Sequence, residues 1–160
     1  MRKTMSNKQL DWSNLGFGYV QTDKRYVSNY KDGAWGEGFL TEDATVTLNE
    51  CAGVFQYAQT VFEGLKAYRT AEGSIRLFRP MENIKRLNRS AERMCMPLLD
   101  ENETLKILET YVKYEAEWVP HSFGTSLYLR PFMIGNDETL GVHTIKRATF
   151  MIIASPSGSY

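Results

Sequence analysis

Residues 60–97 read TVFEGLKAYRTAEGSIRLFRPMENIKRLNRSAERMCMP, and each part of that run predicts a different element. Leu65 and Ala67 alternate with Lys66 and Tyr68, which is the period of a half-buried strand. Ala71-Glu72-Gly73-Ser74 is a turn, and Ile75 to Phe78 returns as a second strand, so the two make a hairpin. Pro80 suits the first position of a helix, where its missing N–H costs nothing. Met81, Ile84, Leu87, Ala91 and Met94 then recur at helical spacing, and Pro97 lies past the end. A hairpin that runs directly into an amphipathic helix argues for an α+β fold, with helices on one face of an antiparallel sheet.

The flanking sequence agrees. A second helix begins near Asp100, with Glu103 three residues later as a capping box. Leu105, Leu108, Val112 and Ala116 form its expected buried stripe, and it ends before Pro120. Ser126 to Ile134 (SLYLRPFMI) and Arg147 to Ala154 (RATFMIIA) read as strands. The second is nearly all apolar and is expected to be central, whereas Pro131 in the first points to an edge or a bulge. Toward the N-terminus, residues 13–50 read as short strands and turns, with Asp32-Gly33 a turn and Ala44 to Leu48 a strand. The first half of residues 54–68 fits either a helical turn or a strand. The expected division is a frayed stretch over 1–12, a small α+β domain over 13–155, and a Ser/Pro/Gly-rich loop from 156 to 160.

Composition excludes several classes. Of 160 residues, 42% are apolar and 24% charged, the range of ordinary soluble domains. Nineteen Lys and Arg balance nineteen Asp and Glu, and neither half of the chain carries an excess above one charge. Bulk charge therefore gives no support to nucleic acid or an anionic membrane as a partner. No apolar run approaches the ~20 residues that cross a bilayer. Cys51 and Cys95 form no C-x-x-C pair, so no disulfide framework or zinc site is expected, and a cytoplasmic setting fits. Phosphate-loop, H-E-x-x-H and G-x-G-x-x-G signatures are absent. His121 and His143 fall in apparent loops and read as surface residues.

Two constellations remain. Arg76, Arg79, Lys85, Arg86, Arg89 and Arg93 stand against Glu82 and Glu92, and Arg86, Arg89 and Arg93 share one helical face. This is either a solvated face or a clamp for phosphate or carboxylate, which Arg meets with paired hydrogen bonds. In SLYLRPFMI, alternation puts Tyr128 and Arg130 on one face and Leu127 and Leu129 on the other. The Tyr–Arg pair could bind a carboxylate, or Arg130 could pair with a local acid.

Taken together, FEGLKAY, RLFRP, EWVP, SLYLRPFMIG, the later LGV and SPSGSY resemble the branched-chain amino acid aminotransferases, pyridoxal phosphate enzymes of fold type IV. The likeness covers nearly the whole chain from Leu15. It implies the small N-terminal domain of such an enzyme: a mostly antiparallel sheet packed against two main helices. By the resemblance, Arg86 holds the cofactor phosphate. Phe17, Tyr57 and Phe62 wall the substrate side-chain pocket. Tyr128 and Arg130 act at the substrate end, and Tyr160 begins the interdomain loop. Leu140 and Val142 reach the neighbouring subunit's pocket in a homodimer.

The lysine that bonds the cofactor lies, in that family, in a second domain that follows these residues. So does the acid facing the pyridine nitrogen. Of nine lysines here, Lys66 is the tempting substitute, yet the family has a basic residue there for other purposes. Gln56 stands where many relatives have His. The resemblance implies amino exchange between leucine, isoleucine or valine and 2-oxoglutarate, with these 160 residues inactive alone, weak for the cofactor, and sticky or dimeric. A D-amino acid aminotransferase, an aminodeoxychorismate lyase-like enzyme, or a non-catalytic assembly fragment are the rival readings.

Overall fold

A computed structural model describes residues 10–158. Its order is β1 (Arg25–Lys31), β2 (Ala34–Trp35), β3 (Phe39–Thr41), α1 (Gly53–Tyr57), β4 (Thr60–Phe62), β5 (Leu65–Arg69) and β6 (Ile75–Leu77). There follow α2 (Pro80–Arg93), α3 (Glu101–Tyr114), a 3-10 turn (Ala116–Trp118), β7 (Ser126–Gly135) and β8 (Ala148–Ser157). The strands form one sheet in the order β2-β1-β8-β7-β5-β6, with β3 beside β1 and β4 beside β7. Every pairing of these strands is antiparallel. The fold is α+β, as the sequence implies.

Local chemistry explains the elements. Asp32 and Gly33 both have positive φ, 53° and 84°, which is what a two-residue hairpin turn between right-twisted strands requires. Pro80 opens α2 at its first turn. Asp100 caps α3 by accepting the Glu103 N–H at 2.8 Å. Asn88, buried on α2, donates to the Leu99 carbonyl at 2.8 Å and accepts the Leu99 N–H at 3.0 Å, which ties the interhelical loop to the first helix.

The core lies between the helices and one face of the sheet. Leu127, Leu129 and Met133 of β7 and Phe150 and Ile152 of β8 are fully buried with Leu87, Leu108 and Trp118. Each such side chain contributes about 1.5–3 kcal/mol relative to an exposed one. A polar network closes the entrance to β1. Glu115, wholly buried after α3, accepts the Lys24 N–H at 2.6 Å. Tyr111 donates to the Lys24 carbonyl at 2.9 Å, and buried Arg25 donates to the carbonyls of Glu42 and Thr22. Burial pushes the Glu115 carboxyl above its ordinary range, against the opposing pull of the Thr22 hydroxyl and the Lys24 N–H.

Three expectations need correction. Ala44 to Leu48 is not a strand: the Asp43 carboxylate captures the Thr45 N–H and hydroxyl at 2.9 and 2.6 Å, and the segment stays outside the sheet. The α3 stripe is rotated onto Thr104, Leu108, Tyr111 and Val112, leaving Leu105 half-buried and Ala116 in the 3-10 turn. β7 is central despite Pro131. The Pro131 carbonyl accepts the Glu63 N–H at 2.8 Å, so its missing N–H faces the break between β4 and β5 and costs no bond to β8. Of the expected frayed stretch, residues 1–9 lie outside the described residues, and Trp12 packs on Trp118 with ring centroids 6.3 Å apart. At the other end β8 runs to Ser157, two residues into the expected loop.

Candidate functional site

Helices α2 and α3 pack with the core on one face of the sheet, and the candidate site lies on the other. Alternation along β7 sends Leu127 and Leu129 into the core and Tyr128 and Arg130 the other way. Register partners share a face, so Ser155, Ile153, Lys66 and Phe62 join them: Ser155 and Lys66 pair with Tyr128, Ile153 with Arg130, and Phe62 with Phe132. Arg130 donates to the Tyr128 hydroxyl through Nη2 at 2.9 Å and Nε at 3.2 Å, and its guanidinium lies 4.3 Å from the Phe62 ring centroid. With Arg130 on its lone pairs, the Tyr128 hydroxyl keeps its own proton for a ligand oxygen. Gly64 makes this possible, because a Cβ there would overlap the Tyr128 hydroxyl.

Above this face runs the segment 15–20. Phe17 meets Tyr128 edge to face at 5.3 Å. Phe17, Tyr19, Tyr128, Arg130, Ile153 and Ser155 are among the residues lining a cavity of about 220 Å³. It has apolar walls and one cationic rim, which suits a small molecule with an apolar tail and an anionic head. Lys66 shares the face but does not line the cavity.

Arg86 lies on α2. Its Nε and Nη2 donate to Glu63 Oε1 and Oε2 at 2.5 and 2.9 Å, and Asn83 adds a bond to Oε2 at 2.9 Å. Glu63 is 4% exposed and the Arg86 side chain 61%. Burial raises the Glu63 carboxyl, but the bonds from Arg86 and Asn83 outweigh it and hold the group below the usual carboxylate range. The result is a guanidinium locked in place on an exposed helix face.

Tyr57 closes α1. Its hydroxyl donates to the Leu140 carbonyl, which ties α1 to the loop after β7. Leu140 and Val142 in that loop are 67% and 84% exposed. Tyr160 lies outside the described residues. The structure brings together Phe17, Phe62, Tyr128 and Arg130, seats Arg86 on Glu63, and joins Tyr57 to Leu140.

Sequence reasoning passes over Glu63, Gly64 and Ser155 as site-shaping residues. FEG is an unusual run; β4 and β5 keep one register along β7 through it, so alternation turns Glu63 to the core face with Val61 and Leu65 and leaves Gly64 beside Tyr128. His121 and His143 are exposed, as read. Among the described residues no group of three or more His, Cys, Asp or Glu could hold a metal, and no helix is long and apolar enough to cross a membrane.

No family model matches the chain. A branched-chain-amino-acid transaminase 1 from Bacillus subtilis strain 168 is 52% identical over 151 residues, covering 94% of this chain and 42% of the relative. A branched-chain-amino-acid aminotransferase from Haemophilus influenzae is 44% identical over 154 residues, covering 96% of this chain and 45% of the relative. The chain therefore spans less than half the length of the curated relatives it matches. Among solved structures, the Escherichia coli branched-chain amino acid aminotransferase superposes with a TM-score of 0.67 at 23% identity, over 88% of this chain and 41% of that one. The T.th. branched-chain amino acid aminotransferase, solved with pyridoxamine 5'-phosphate, gives 0.62 at 24%, over 83% and 40%. At that identity the structures speak for the fold, and the sequence matches speak for kinship. In sequence and in fold, this chain is a relative of the branched-chain aminotransferases, matching their N-terminal domain.

Proposed function

We propose that these residues form the substrate-facing N-terminal part of a branched-chain aminotransferase, which exchanges the amino group between leucine, isoleucine or valine and 2-oxoglutarate. The observation that carries the reading is the Tyr128–Arg130 pair beside an aromatic-walled cavity. A branched aliphatic side chain fits apolar walls, and a carboxylate fits a guanidinium with N–H groups to spare. The same Arg could receive the distal carboxylate of glutamate or 2-oxoglutarate.

Pyridoxal phosphate is the cofactor this reading requires, and a relative solved with pyridoxamine 5'-phosphate supports it. Arg86 fits one edge of a phosphate, since Glu63 fixes its guanidinium while most of the side chain stays exposed. The cofactor would supply the electron sink for amino transfer. Phe17, Phe62 and Ile153 would bind the side chain and exclude water, and Arg130 and Tyr128 would orient the carboxylate. On this reading no lysine of these 160 residues bonds the cofactor, and the lysine that does belongs to the part of the relatives' length beyond this match.

The assembly is read as a homodimer, with Leu140 and Val142 offered to the neighbouring subunit's pocket, and the setting as cytoplasmic. Their exposure suits that role. The test joins these residues to the complementary C-terminal part of the Bacillus subtilis relative and measures leucine–2-oxoglutarate turnover with added cofactor. Turnover by the joined chain, lost in Arg130→Ala, supports the reading. A folded joined chain that prefers D-amino acids favours the rival enzyme class. Turnover by the 160 residues alone overturns the placement of the lysine and makes Lys66 the residue to mutate.

A further inference from the structure

The wall that carries Phe17 is not a strand. Residues 15–20, Leu-Gly-Phe-Gly-Tyr-Val, have no regular secondary structure, and Phe17 sits between two glycines. Such a segment has more backbone freedom than almost any other sequence of its length. Yet its position decides how closely Phe17 faces Tyr128, and so the width of the cavity.

Hydrogen bonds from the end of β8 hold it. The Ser155 hydroxyl accepts the Val20 N–H at 2.9 Å and lies 3.4 Å from the Gly18 carbonyl, to which it donates. The Gly158 N–H donates to the Gly16 carbonyl at 3.1 Å. One serine side chain therefore grips the segment on both sides of Tyr19, while a backbone bond pins it just before Phe17. Ser155 can reach because it is the register partner of Tyr128 and points to the open face. Gly158 is equally specific: a Cβ there would overlap the Leu15 carbonyl.

We infer that Ser155 is a positioning residue that sets side-chain selectivity, by clasping the 15–20 strap so that Phe17 closes the cavity over an apolar ligand tail. This rests on the proposed reading of the cavity as the substrate side-chain site. Ser155 lines the cavity, but both hydrogen bonds of its hydroxyl go to the strap, and Phe17 is the ring that closes on the ligand tail. Gly158 is the second half of the clasp, where backbone must lie on backbone.

The experiment uses the 160-residue chain, labelled for amide NMR. The probes are 4-methylpentanoate, with a branched apolar tail, and acetate, which lacks one. The readouts are hydrogen exchange at the Val20 amide and the affinity ratio of the two acids. Ser155→Ala is expected to speed Val20 exchange about tenfold. It should also reduce the preference for the branched acid about fivefold, roughly what one hydrogen bond is worth. Ser155→Thr, which keeps the hydroxyl and suits a strand, should restore both. Unchanged Val20 exchange in Ser155→Ala overturns the inference, as does faster exchange with the preference intact. A parent chain that binds neither acid overturns the site reading and the selectivity role with it. In that case faster Val20 exchange still separates a real clasp from a failed site.

Discussion

Glu63 and Arg86 form a two-bond ion pair in which the carboxylate is buried and the guanidinium is not. The asymmetry means the acid depends on the base more than the base on the acid. Glu63 is held below its ordinary value of 4.5, so its contribution to stability is fully present above that pH and is lost as pH falls through the lower folded-state value. Arg86→Ala should lower the melting temperature and weaken this acid dependence, and Glu63→Gln should remove it. Thermal melts across pH 2 to 6, followed by circular dichroism, check both on the order of magnitude that linkage allows.

Glu115 titrates with the opposite sign. Its pKa is raised by burial, so the folded state binds more protons than the unfolded chain between 4.5 and that raised value. Stability from this group falls as pH rises through the window. Glu115→Gln keeps the acceptor for the Lys24 N–H and offers an amide N–H to the Thr22 hydroxyl. It should flatten the profile and leave the variant at least as stable as the parent at neutral pH. Urea titrations at several pH values measure it; a variant less stable at every pH counts against a neutralised burial cost.

The two faces of β7 should respond differently to truncation. Leu129→Ala removes a fully buried side chain and should cost about 3 kcal/mol. Phe62→Ala removes a ring that is 59% exposed on the other face and should leave stability nearly unchanged. The same change should weaken 4-methylpentanoate binding, because Phe62 supports the Arg130 guanidinium. Chemical denaturation and ligand titration of the two variants separate the roles.

Gly64→Ala tests the link between the FEG run and the site. The added Cβ would collide with the Tyr128 hydroxyl and push it away from Arg130. Carboxylate affinity should drop by about tenfold, the worth of one charge-assisted hydrogen bond, while the far-ultraviolet spectrum stays that of the parent. Unaltered affinity would show that the Tyr128–Arg130 contact is not needed for binding.

The elements with local causes were legible in the sequence. The hairpin around Ala71 to Ser74, the proline-opened α2 and the Asp100 cap all depend on neighbours a few residues away. The central place of β7 was not legible, because Pro131 argues for an edge unless one knows which way its missing N–H points. That direction is set by Glu63, far away in the chain. Ala44 to Leu48 has strand composition, but Asp43 offers its backbone a competing partner and no sheet neighbour offers more. At the site, the Tyr128–Arg130 pairing was readable from period two alone. The clasp on residues 15–20 was not, since Ser155 and Val20 are 135 residues apart. Family likeness marked Phe17, Arg86 and Tyr57; their partners Tyr128, Glu63 and Leu140 come from distant parts of the chain.

The proline in β7 also has a consequence for how the sheet can be edited. One strand serves two short partners in succession, β4 and then β5, and the handover falls where the backbone has nothing to donate. A seam placed there cannot slide, because a shift by one residue would put a proline opposite a strand that needs a donor. The chain keeps one register along β7 through Glu63-Gly64, so alternation sends an acid beneath α2 and leaves a glycine that clears room for a tyrosine. Pro131 works as a fixed joint in an otherwise continuous strand, and replacing it with a donor-bearing residue would turn that joint into a place where the register could wander.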